Sequence, residues 1–148
     1  MILRQALKRL HKCGDVLYSD FPHNNEYPIV KALIDEQAEH LANLAAKHKI
    51  LKYFRCQNDQ EIKETILTSG SVIICVPIYT DFGRDLHVTH TDHRVGYHAM
   101  IIKGWTKDNK WIVQNSWGYF WGYAGKLLMD MDYPISECWG IVINTSDE

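Results

Sequence analysis

His98 and Asn115 are the residues of this chain whose types and spacing could carry out covalent chemistry. His98 lies in Gly96-Tyr97-His98-Ala99, and Asn115 in Gln114-Asn115-Ser116-Trp117-Gly118. Between Trp105 and Lys110, the residues Thr106-Lys107-Asp108-Asn109 suit a four-residue hairpin loop. Pairing 105 with 110 puts residue 100 opposite Asn115. His98 and Asn115 then share a face as diagonal neighbours, roughly 7–8 Å apart at the backbone. An amide oxygen that accepts an imidazole N–H fixes the ring's tautomer and orientation, leaving the other nitrogen free for a thiol. Trp117 stands where an indole would cover that bond and exclude water. Taken singly, His98 reads as a satisfied core histidine and Asn115 as a turn residue; with Trp117 beside them the group reads as a site.

A second chemistry-bearing stretch is the polar loop at 81–96, with Asp85, His87, His90, Asp92 and His93. A loop could gather His87, His90 and His93 around zinc, although a solvated loop beside the first site explains the same residues. The four cysteines, Cys13, Cys56, Cys75 and Cys138, form no C-x-x-C pair, which argues against a zinc knuckle or a thioredoxin-like redox site. They read as reduced thiols. No cofactor is expected.

The elements that must position these residues run from helices to a sheet. Leu3, Ala6, Leu7 and Leu10 share one face of a helix over 1–13, which Gly14 stops. After a loop at 14–27, a second helix is expected from Pro28 to about Lys49. Its apolar face is Val30, Ile34, Leu41, Leu44 and Ala45. A short strand follows at 50–57. Asn58 and Glu61 stand in capping-box spacing before a third helix whose stripe is Ile62, Ile66 and Leu67, and Gly70 ends it. Val72 to Tyr79 reads as a strand buried on both faces. Strands are then expected at about 97–105, 110–115, 123–131 and 139–144. This is an α+β order, helices followed by an antiparallel sheet. It fits a single domain over 1–148, mostly helical through 57 and helix plus sheet over 58–148.

The bulk composition excludes some functions. The 148 residues are 46% hydrophobic and carry a net charge of -2, so the chain can bury a core but has no basic footprint for nucleic acid. No run is long enough to span a membrane, and no apolar stretch follows Arg4, Lys8 and Arg9 as a signal peptide would require. The expected location is the cytoplasm.

From about residue 2 to 143 the chain resembles the later part of a papain-like cysteine peptidase. Leu3-Arg4-Gln5-Ala6-Leu7 through Gly14-Asp15-Val16 is similar to the helix that follows the family's nucleophile helix. Glu61-Ile62-Lys63 through Gly70-Ser71-Val72 resembles its helix-to-strand crossing, with Ser71 where proline is frequent. Gly96 to Gly104 resembles the catalytic histidine strand, and Trp111 to Gly118 the strand of the asparagine and its tryptophan lid. Phe120-Trp121-Gly122-Tyr123-Ala124-Gly125 resembles the Gly-Trp-Gly-x-x-Gly turn. The resemblance implies the family's barrel-like right-hand domain, with part of the left-hand domain missing. It also implies a general base at His98 and an orienting amide at Asn115.

The family's nucleophile, a cysteine in a setting such as Gln-x-x-x-x-x-Cys-Trp, has no counterpart in these residues. Cys13 lies at the wrong end of its helix, Cys75 is mid-strand, Cys56 matches nothing catalytic, and Cys138-Trp139 leads into a strand. The chain alone is therefore expected to be a very poor peptidase. Two functions follow. One is a catalytically inactive papain-like module that binds another protein, as an inhibitor or adaptor. The other is the His/Asn portion of a split or truncated peptidase, completed by a polypeptide bearing the nucleophile. A metal-dependent hydrolase using the histidine loop is a distant third. Because the nucleophile helix would cover Leu3, Leu7 and Leu10, that stripe is expected to need other cover. The helix at 28–49, a second copy or another polypeptide could supply it, and the old cleft is the other surface for a partner.

Overall fold

The computed structural model describes residues 3–22, 26–80, 82, 87–88 and 93–143. Its elements are α1 (Leu3–Lys12), α2 (Tyr27–Glu36), α3 (Ala38–Ala45), β1 (Ile50–Arg55), α4 (Asp59–Ser69) and β2 (Val72–Tyr79). They continue with β3 (His87–Val88), β4 (Arg94–Trp105), β5 (Lys110–Gln114), β6 (Lys126–Asp130) and β7 (Glu137–Ile143). The chain, read from sequence as one domain dividing near 57, separates at 53/54 into two compact units, Met1–Tyr53 with Val142–Glu148 and Phe54–Ile141.

In the first unit, the chain supplies cover for the apolar stripe of α1, one of the outcomes expected. Leu7 is 1% exposed, and Leu3 and Leu10 are half-buried. Burial of one leucine is worth roughly 1.5–3 kcal/mol, which is reason enough for a chain to fold over it. The single long helix expected over 28–49 is two helices, broken at Gln37 (φ -113°, ψ 19°). The break falls in Asp35-Glu36-Gln37, where no apolar side chain holds the helix down. Leu41 and Ala45 are buried beyond it, whereas Ile29 and Ile34 before it are 48% and 44% exposed.

The second unit packs α4 against an open sheet in which β7, β2, β4, β5, β6 and β3 are neighbours in that order. Every described pairing is antiparallel except β3 with β6, a two-residue parallel edge. The two edge strands do not pair with each other among the described residues, so the expected barrel is not closed. Strand β4 starts three residues earlier than its polar sequence suggested, because Arg94 to Ile102 pair along β2. Tyr123–Gly125, expected in a strand, form the turn into β6, with Ala124 and Gly125 at positive φ.

The core is built by alternation. Val72, Ile74 and Val76 of β2, Met100 and Ile102 of β4, Trp111 and Val113 of β5, and Leu127 and Met129 of β6 are each at most 3% exposed. On the other face of β2, Ile73 and Cys75 are half-buried and Pro77 is buried, so both faces are covered, the second less completely. From α4 the core takes Ile62, Thr65 and Ile66. Leu67, placed in that stripe from sequence, is 76% exposed. Five residues from Ile62, it has rotated to the other side of the helix, and the i+3 neighbour Thr65 fills the face instead.

The predicted cap of α4 is present. Glu61 N–H donates to Asn58 Oδ1 at 2.9 Å, while Glu61 Oε2 accepts the Gln57 N–H at 2.7 Å, one residue before the usual capping box. Asn58→Ala should therefore cost about 1 kcal/mol, read as a lowered urea midpoint with an unchanged slope.

Candidate active site

His98 and Asn115 meet because two register shifts cancel. The turn is one residue tighter than expected. Thr106 and Lys110 close it, with Thr106 N–H donating to Lys110 O at 2.9 Å, and Asn109 sits at φ 57°. Trp105 thus pairs with Trp111 rather than with residue 110. Left alone, that shift would turn the asparagine strand over relative to the histidine strand. A bulge at Lys103 takes up the extra residue, and beyond it Ile102 pairs with Val113 and Ile101 with Gln114. The diagonal relation of His98 to Asn115 is restored.

The side chains are in direct contact. His98 Nε2 and Asn115 Oδ1 are 2.8 Å apart. Asn115 Oδ1 also accepts the Ser116 backbone N–H at 2.8 Å, which identifies this atom as the oxygen. An acceptor there requires the proton on Nε2, leaving the lone pair on Nδ1. The Asn115 backbone is held in turn, its N–H donating to Gly125 O at 2.9 Å. Gly125 occupies φ 77°, and a Cβ there would sit 2.7 Å from Gln114 Nε2, so only glycine allows this close approach.

Aromatic rings surround the imidazole. Trp117 lies 5.3 Å from it, centroid to centroid, tilted by 30°. Trp121 braces Trp117 edge-on at 5.2 Å. Phe82 closes another side, 6.0 Å from His98 and 5.8 Å from Trp117. Asn115 is 5% exposed, whereas the outer surface of Trp117 remains open. Phe82 was not singled out by the sequence reading. Its signal was modest: an apolar ring in an otherwise polar stretch, directly after β2.

No thiol in the same unit can use this imidazole. Cys75 pairs with Ala99, so it projects from the face opposite His98, and burial together with Glu137 raises its pKa. Cys56 and Cys138 are buried in the core, and burial plus the neighbouring Cys56 pushes the Cys138 thiol well above the ordinary range. All four cysteines are free, and Cys13 is exposed. Maleimide at pH 8 should thus modify Cys13 at least about 100-fold faster than Cys56 or Cys138, measured by peptide mass mapping over time.

Of the expected histidine cluster, His93 is exposed, His87 contributes its backbone to β3, and His90 lies outside the described residues. Among the described residues no group of His, Cys, Asp and Glu converges as a metal site. Nor is any of their helices long and apolar enough to cross a membrane.

The strand-borne His–Asn pair lies under an indole in an antiparallel sheet, an arrangement that can orient an imidazole toward a thiol. The sequence pattern of the papain family cysteine proteases matches residues 5–142, and the chain belongs to that family. It is 34% identical over 97 residues to serine-repeat antigen protein 3 of Plasmodium berghei (strain Anka), covering 57% of this chain and 9% of that one. It is also 35% identical over 72 residues to cathepsin B-like cysteine proteinase 5 of Caenorhabditis elegans, covering 45% and 21%. The fold matches xylellain, a cysteine protease from Xylella fastidiosa, with a TM-score of 0.82 at 19% identity, over 97% of this chain and 62% of xylellain. The chain thus spans less than two thirds of the length of each of these proteins.

Proposed function

We propose that these residues supply the imidazole–amide half of a cysteine peptidase site. A polypeptide segment that carries the thiol completes it, and the 148 residues alone bind that segment without hydrolysing peptides. The observation that carries this reading is the 2.8 Å contact between His98 Nε2 and Asn115 Oδ1, with Oδ1 fixed by a backbone donor. A histidine merely filling space has no need of a preset tautomer with the Nδ1 lone pair left free. In the completed site Nδ1 takes the proton of an adjacent thiol, and the imidazolium remains held by Asn115 under Trp117. The thiolate attacks the peptide carbonyl, and the imidazolium returns its proton to the leaving amine.

A second reading keeps the docking and drops the chemistry: an inactive papain-like module serving as an inhibitor or adaptor. It is favoured by relatives named as antigens rather than proteases, serine-repeat antigen protein 3 among them. One experiment separates the two. The chain is mixed or co-expressed with a polypeptide bearing a Gln-x-x-x-x-x-Cys-Trp helix and assayed with a fluorogenic peptide amide. Hydrolysis that requires both the added cysteine and His98 supports the peptidase reading. A stable complex without hydrolysis favours the inactive module, and absence of a complex overturns both.

A further inference from the structure

The sheet face opposite His98 is half apolar and half basic. Along β4, His98, Met100 and Ile102 point one way, and Tyr97, Ile101 and Lys103 the other. Tyr97 is 55% and Ile101 37% exposed. The row continues across the sheet, since Ile101 pairs with Gln114 and Gln114 with Lys126. At its basic end is a pocket of about 520 Å³ lined by Lys103, Gln114, Asn115, Ser116, Tyr119 and Lys126, together with Gly118 and Ala124.

Two observations point to the kind of group this pocket takes. It contains two ammonium groups and no carboxylate, and neither lysine has an ion-pair partner among the described residues. Like charges left facing one cavity attract a counter-charge. Secondly, Gln114 Nε2 is already committed, to Gly125 O at 2.9 Å and Asn115 O at 3.2 Å, so the amide is held still as part of the wall.

We propose that this pocket is a socket for an Asp or Glu side chain on a docking polypeptide, whose apolar residues lie on Tyr97 and Ile101 while its carboxylate sits between Lys103 and Lys126. The combination of an apolar strip with a basic pocket distinguishes a polypeptide from a free anion, which has no use for Tyr97 and Ile101. Identifying that polypeptide with the thiol-bearing segment rests on the function proposed above; the socket itself does not.

The test is selection of peptides from a random twelve-residue library on the folded 148-residue chain, followed by fluorescence anisotropy of the best binders. Recovered peptides are expected to combine apolar residues with at least one Asp or Glu. Changing that residue to its amide should weaken binding by about tenfold or more. The Lys103→Met, Lys126→Met double variant should bind acid and amide peptides alike, while Lys103→Arg, Lys126→Arg keeps the preference. Circular dichroism melts establish that each variant is folded. Absence of binders, binders without acidic enrichment, or equal loss to added acetate at matched ionic strength would overturn the proposal. So would a dimer in gel filtration that the methionine variant abolishes, since the occupant would then be a second copy. Acidic selectivity without binding of the thiol-bearing polypeptide would leave the socket standing and remove the peptidase reading.

Discussion

In an assembly competent for peptide hydrolysis, His98→Ala should lower kcat/KM by about 10³-fold or more, the scale expected when one member of a nucleophile–base unit is removed. The argument is geometric. His98 is the imidazole held by an amide oxygen at 2.8 Å and walled by Trp117 and Phe82. Asn115→Ala should act less severely, because the ring keeps its aromatic walls but loses the partner that fixes its tautomer. Gln at 115 should not rescue it, since its longer side chain displaces Oδ1 from the Ser116 N–H that anchors it. Rates with a fluorogenic peptide amide, normalised to folded protein, would decide. More than a tenth of the activity surviving in His98→Ala would remove this histidine from the mechanism.

Gly14→Ala should be the most damaging small substitution in the first unit. Gly14 ends α1 at φ 83°, its N–H donating to Leu10 O at 3.0 Å. A Cβ there would lie 1.8 Å from Ala45 O and 2.7 Å from Ala45 C. The positive φ alone costs an L residue roughly 1–2 kcal/mol. The collision is with backbone, which cannot swing aside, so the total should exceed about 3 kcal/mol. Gly70→Ala provides the internal control: φ is 81°, yet a Cβ meets nothing within 4 Å. It should show the backbone cost only, roughly 1–2 kcal/mol. Urea titrations of both variants separate strain from collision, and equal losses would refute the packing argument.

What sequence could disclose depended on whether a residue's role is local. Asn58, Glu61 and Gly70 bound α4 as read, because caps and stops are settled within a few residues of chain. The family and the His–Asn pairing were also legible, since specific motifs carry them. Roles set by the rest of the molecule were not. Nothing local distinguishes Leu67 from Thr65 until the sheet chooses a helix face. Nothing in Asp35-Glu36-Gln37, with neither glycine nor proline, marks the end of α2. Sequence leaves open what covers Leu3, Leu7 and Leu10; the fold buries Leu7 within the chain. The register of the hairpin was misjudged at its tip and right at the site, because a bulge leaves no signature in a run such as Ile101-Ile102-Lys103-Gly104.

That bulge has a lasting consequence for how this chain can vary. Turn length and bulge are two integers whose sum decides which side of the sheet the amide emerges on. An insertion or deletion at the tip is tolerable only with a matching change near Lys103. Either lesion alone would leave a folded hairpin whose histidine and asparagine look away from each other.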